Sequence, residues 1–220
     1  VSIASGVFTD TAGNANADGL DTNNTITLLI DTVVPTIALS ASKTSLIAGD
    51  TTTLTFTLSE SSADFTSSDV VFSGGTMSGF SGSGTTYTAL FTPTAESTTN
   101  GVISVASNKF ADAAGNINAD GADADNVKTI SVNTIRPTIA VTAAESNLKA
   151  GESSVVSFTL SETVTDFVAT DITSFGGTIS NFAGTGTSYT ATFTPTVSST
   201  ANGVVSVASN KFTNAAGNQN

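Results

Sequence analysis

The sequence contains no cysteine, no histidine and no tryptophan, and it has only six basic side chains against eighteen acidic ones. Without cysteine there is no disulfide framework and no thiolate metal site. With histidine missing as well, the usual general base and thiol nucleophile of enzymes are absent, and zinc lacks its preferred ligands. Carboxylate pairs of the glycosidase kind remain, but each is duplicated along the chain, which suits a structural unit better than an active site. The lack of tryptophan removes the flattest platform for stacking on sugars. The two tyrosines, Tyr87 and Tyr189, fall on the inward phase of a strand and are expected in the core. A net charge of −12 repels phosphate backbones and anionic membranes, so nucleic acid is not an expected partner. No apolar run reaches the length of a transmembrane helix, so no membrane insertion is expected.

What the chain does hold is valine, isoleucine, leucine, phenylalanine and alanine, embedded in threonine and serine. Apolar residues make up 39 %, enough to fill a core, while charged residues make up 11 %, too few for the wet faces of long helices. β-Branched residues with hydroxyl-bearing neighbours suit half-buried strands. Threonine on an outer strand face needs only that preference to explain it, and an ice-binding role is not required.

The organising feature is an internal repeat. Ser107-Asn108-Lys109-Phe110 returns as Ser209-Asn210-Lys211-Phe212, and Thr57-Leu58-Ser59-Glu60 as Thr159-Leu160-Ser161-Glu162, each pair 102 residues apart. Gly74-Gly75-Thr76 returns as Gly176-Gly177-Thr178, and Phe91-Thr92-Pro93-Thr94 as Phe193-Thr194-Pro195-Thr196, with no insertion between. Near the start, Phe8 matches Phe110 and Ala12-Gly13-Asn14 matches Ala114-Gly115-Asn116. Residues 1–33 thus read as the C-terminal strands of a truncated repeat and residues 34–135 as a complete one. Residues 136–220 read as a repeat lacking its last strand.

Within a repeat, period-2 alternation marks strands. Leu54, Phe56 and Leu58 alternate with threonines, as do Tyr87, Ala89 and Phe91 in part. Further strand runs are Thr36–Ser42, Val70–Ser73, Val102–Ala106 and Val127–Val132, separated by Gly- and Ser-rich breaks such as Gly79–Gly84. About seven short strands per hundred residues predict an all-β chain of tandem immunoglobulin-like β-sandwich modules. Pro35 and Pro137 stand before the first strand of a module and stiffen a short junction, favouring a rod over a flexible string.

Three strings together resemble a known family. They are Gly6-Val7-Phe8-Thr9-Asp10-Thr11-Ala12-Gly13-Asn14, then Asp31-Thr32-Val33-Val34-Pro35-Thr36, then Thr57-Leu58-Ser59-Glu60 with Asp64-Phe65 and Asp69-Val70. They are similar to the bacterial Ig-like repeat of giant surface proteins, including the RTX-type adhesins of biofilm-forming bacteria. The resemblance covers the whole chain. It implies extender modules on the bacterial cell surface, extracellular, stacked on neighbouring modules of the same protein, and in many cases rigidified by calcium near the module junctions. Two of the differences between copies bear on that implication: Asn133 stands where Asp31 does, and Asn214 stands where Asp10 and Asp112 do.

Two sets of residues are candidates for calcium. The first is the acidic loop Asp112, Asn116, Asn118, Asp120, Asp123 and Asp125, with its earlier copy Asp10, Asn14, Asn16 and Asp18. Asn116-x-Asn118-x-Asp120-Gly121 resembles the first half of a calcium loop, in which alternating side-chain oxygens face one centre and glycine permits the turn. No glutamate follows at the twelfth position, so it is not an EF-hand. A solvated loop built of Asx turns is the alternative. The second set is Glu60, Asp64 and Asp69, repeated as Glu162, Asp166 and Asp171. With Asp31 from the linker these would form a junction site, as the resemblance implies. The alternative is that Asp64 and Asp69 only cap turns. A different use of the same fold is a self-assembling filament, in which the incomplete last module takes residues 24–32 of another copy as its missing strand.

Overall fold

The computed structural model describes residues 1–19 and 21–220; Leu20, inside the first copy of the acidic loop, lies outside the described residues. The middle module contains β1 (Ile37–Ala41), β2 (Ser45–Ile47), β3 (Thr52–Ser62), β4 (Val70–Ser73), β5 (Gly75–Pro93), β6 (Gly101–Val105) and β7 (Val127–Asn133). One sheet runs β1-β3-β5 and the other β2-β7-β6-β4. All pairings are antiparallel except β2 with β7, which is parallel. The long β5 is a ribbon folded on itself: Gly75 lies against the Thr92 carbonyl and Gly82 against that of Thr86, so the chain reverses around Gly84.

The inward residues of the alternating strands make the core. Leu54, Phe56 and Leu58 of β3 meet Leu46, Ile103, Ile130 and Val132 from the opposite sheet, all buried. Aromatic rings close one end of the sandwich. Phe65 stands edge-on to Phe56, Tyr87 and Phe110 at centroid separations of 5.7, 5.1 and 5.4 Å, the favourable geometry for ring quadrupoles. The Tyr87 hydroxyl donates to the Ser62 carbonyl at 2.7 Å, which satisfies its polar end inside the core. Phe91 is wedged between Gly75 and Gly101, where a Cβ would meet its ring at 2.6 Å.

The third module repeats this plan with β8 (Ile139–Ala143), β9 (Ser154–Val164), β10 (Ile172–Phe175), β11 (Gly177–Pro195) and β12 (Val204–Val207). Its sheets run β8-β9-β11 and β10-β12, and its core repeats the cluster with Phe158, Phe167, Tyr189 and Phe212. Residues 1–33 carry isolated bridges, Ser2 with Thr25 and Thr9 with Ala15, and among the described residues there the large apolar side chains, such as Phe8, Leu28 and Ile30, are exposed.

Candidate metal centre at the module junction

Asp31 lies in the extended segment that leads into β1, Glu60 near the end of β3, and Asp112 in the loop after β6. These three segments are distant in sequence, and the sandwich brings them to one end of the middle module. One carboxylate oxygen of each lies within 4.8 Å of the others. Among the described residues this is the one group of three acidic side chains so placed. Glu60 and Asp112 are half-buried and Asp31 is exposed.

The surroundings shift the protonation of Glu60 and Asp112. Partial desolvation, then the negative charges of Asp31 and Asp112, hold the Glu60 carboxyl above its ordinary range. Asp112 is held below its ordinary range, chiefly by the Asn116 side chain and then by backbone N–H groups of its own loop. Its Oδ1 accepts from the N–H groups of Ala114 and Asn116 at 2.9 Å each, and its Oδ2 accepts from Asn116 Nδ2 at 2.8 Å. That Asx-type loop is local and recurs at Asp10, whose carboxylate accepts from Ala12, Asn14 and the Asn14 amide at 2.9 Å each, and whose pKa falls for the same reason. Asn116 Nδ2 also reaches the Asp31 carbonyl at 3.2 Å, tying the linker to the loop.

The remaining candidate residues are placed elsewhere. Asn118 is fully buried; its Oδ1 accepts from Lys109 and Phe110 N–H, and its amide donates to the Ala106 carbonyl and to Asp120. Asp120 in turn accepts the Ile37 N–H at 2.6 Å, fastening the loop to the start of β1. Asn16 repeats the Asn118 pattern with Val7, Phe8, Ala4 and Asp18, and Asp18 is lowered by the Asn24 and Asn16 amides. These oxygens accept hydrogen bonds from N–H groups of the same loop, of the segment before it and of β1. Asp123 and Asp125 flank and enter a 3-10 turn, Ala124–Asn126, and are exposed. Asp64 accepts from the Ser62 hydroxyl at 2.6 Å and the Ala111 N–H at 3.0 Å, and Asp166 accepts from Thr213. Asp69 and Asp171 cap short 3-10 turns by accepting the Thr66 and Val168 N–H groups.

The corresponding junction between the middle and third modules is built differently. Asn214 keeps the loop, with Oδ1 accepting from Ala216 and Asn218 N–H at 3.1 and 2.9 Å, but its Nδ2 donates to Glu162 Oε1 at 3.0 Å. Asn218 bridges the modules, donating to the Asn133 carbonyl at 2.9 Å and accepting the Ala48 N–H at 2.6 Å. Asn218 and Asn126 escape a search for acidic side chains. The thrice-copied Ala-Gly-Asn string was the available signal for Asn218, and Asn126 is a buried amide holding the Asp120 carbonyl.

No helix among the described residues is long and apolar enough to cross a membrane. Two stretches of the chain, residues 31–130 and 133–220, match a family described as a bacterial Ig-like domain. No curated protein matches the sequence. Among solved structures, the chain resembles FdeC, described as a broadly conserved Escherichia coli adhesin, with a TM-score of 0.41 and 15 % identity. That likeness covers 78 % of this chain and 63 % of the other, so the chain spans less than two thirds of it.

Proposed function

Because the chain belongs to the bacterial Ig-like domain family, we propose that it is a structural extender of an extracellular bacterial adhesin or surface fibre, with calcium rigidifying its first module junction. The observation that carries the calcium reading is the convergence of Asp31, Glu60 and Asp112 within 4.8 Å from the linker and the module it enters. A calcium ion takes roughly six to eight oxygens at about 2.3–2.6 Å in flexible geometry, and carboxylates, carbonyls and water supply them. The ion would offset a concentration of negative charge that otherwise pushes the linker away from Glu60 and Asp112. A rod made this way has length and stiffness as its output. Nothing in it calls for catalysis. The test is thermal melting and hydrodynamic length with calcium and then with chelator. Higher melting and a longer, stiffer particle with calcium are expected, and identical curves would remove the calcium part.

A second reading, strand donation between copies, is favoured by one observation. The free side of β12 borders a cleft of about 600 Å³ lined by Val141, Leu148, Val156, Phe193 and Val205. Residues 25–31 align with β7, so Leu28 and Ile30, both well exposed, correspond to the buried Ile130 and Val132. Sedimentation of the 220-residue chain with and without residues 1–33 tests it. Fibres that depend on residues 24–32 are expected, and assembly that survives their removal would sink it.

A further inference from the structure

We infer that the junction formed by Asn133, Glu162 and Asn214 is a constitutive, ion-independent latch, in which an amide does what a cation would do at the Asp31 junction. The inference concerns the second junction, and its contrast with the first rests on the calcium reading above. The starting point is the orientation of the Asn214 side chain. An amide can be turned either way, and the hydrogen-bond network must decide. Here Oδ1 accepts two backbone N–H groups, from Ala216 and Asn218, so the NH₂ end has to face the other way. It faces two acceptors, Glu162 Oε1 and the Ile135 carbonyl, each at 3.0 Å. Both of its protons are used. At the first junction the corresponding atom is an oxygen of Asp112, which can donate to nothing.

The charge follows the same substitution. Asp31, Glu60 and Asp112 place three carboxylates together, whereas Asn133, Glu162 and Asn214 leave one, and that one has its donor. The rest of the contact is a set of hydrogen bonds, two between the modules and one within the third. Ala48 donates to Asn218, Asn218 to the Asn133 carbonyl, and Arg136 Nη1 to the Gln219 carbonyl at 3.1 Å. Of the three corresponding positions only Glu162 is a carboxylate, and it is already hydrogen-bonded, while the nearby Glu96 carboxylate is engaged by the Arg136 N–H at 3.3 Å, so the junction has little to gain from an ion. The two junctions of this chain are therefore of different kinds, one responsive to cations and one fixed.

Amide hydrogen exchange on the whole chain, in calcium and then in EGTA, tests this. Residues 133–136 and 214–218 should show the same slow exchange in both buffers, while residues 31–36 and 112–116 quicken in EGTA. If the second junction loosens on chelation as much as the first, the latch is overturned. If neither responds and the second stays protected, the calcium reading fails and the latch stands. The paired variant Asn133→Asp/Asn214→Asp should fold, because Asp10 and Asp112 form the same loop. Its residues 133–136 should exchange about tenfold faster in EGTA, the scale of one lost hydrogen bond to a charged group, and recover with calcium. Unchanged exchange in that variant would overturn the latch. The conservative Glu162→Gln, which keeps an acceptor for Asn214, should leave the second junction closed in both buffers.

Discussion

The middle and third modules share β1, β3, β4 and β5 residue for residue with β8, β9, β10 and β11, yet they differ along one edge. In the middle module Leu46 is completely buried in β2, and β2 exists by pairing with β7. In the third module residues 147–149, which match β2, form no strand, and Leu148 is only half-buried. The difference extends beyond that edge: Ile37, Val70 and Val105 are buried, whereas Ile139, Ile172 and Val207 only pack partly against their core. Two things differ at the β2 position: the residues are Asn147-Leu148-Lys149 where β2 has Ser45-Leu46-Ile47, and among the described residues no strand corresponding to β7 lies beside them. In the middle module β2 is held by the strand beside it, since a three-residue edge strand has few hydrogen bonds of its own.

The largest expected effect would make the middle module resemble the third. Ile130→Ala removes a fully buried side chain of β7 and should cost about 2–5 kcal/mol in urea unfolding, with faster exchange across Ser45–Ile47. A cost below about 1 kcal/mol would mean that β7 does not hold that edge. Next come changes where the modules are alike. Gly101→Ala and Gly203→Ala each drive a methyl group into a phenylalanine ring, at 2.6 Å from Phe91 and 2.5 Å from Phe193. Both should destabilise by about 1–3 kcal/mol and to similar extents, measured module by module. Unequal costs would show that the open edge lets the third core relax.

The smallest effect separates the junctions by pH. Glu60 has a raised folded pKa, so its carboxylate penalises the folded state once ionised. In chelator, the Glu60 contribution to the first junction should be fully present below the ordinary glutamate range near 4.5 and be lost as pH rises through and above it. Asp64 and Asp112 act oppositely: their lowered values add stability above the ordinary aspartate range near 3.8, and it is lost as pH falls below that. Melting temperatures in EGTA across this range, for the parent and for Glu60→Gln, check the sign. The variant should lose the decline with rising pH and keep the acid-side loss.

Much of the fold was legible in the sequence. The alternation at Leu54, Phe56 and Leu58 gave the inward face of β3, and Tyr87 and Tyr189 do fill the core. Val70–Ser73 is β4 as read, and Val127–Asn133 extends one residue beyond the alternating run. The reversal of β5 upon itself was hidden, because a ribbon and a single strand alternate alike. The acidic loop shows the other limit. The spacing Asn116, Asn118, Asp120 marks a segment rich in side-chain oxygen, and only the fold shows which N–H groups those oxygens accept. Asn118 and Asp120 use theirs on the N–H groups of Lys109, Phe110 and Ile37.

The first copy of that loop separates the two levels. Gly6 donates to the Asn16 carbonyl and Asn16 to that of Phe8, as Asn108 and Asn118 do in the middle module and Asn210 and Asn220 in the third. The loop thus forms wherever its sequence occurs, because its hydrogen bonds close within the segment itself. Phe8, however, is 59 % exposed where Phe110 is 2 % and Phe212 is 1 %. The sequence alone determined the repeat, the alternating faces and these turns, which depend on neighbours along the chain. Burial of the phenylalanine, the existence of β2 and the meeting of Asp31, Glu60 and Asp112 depend on segments far apart in sequence, and only the packing of two sheets brings those together.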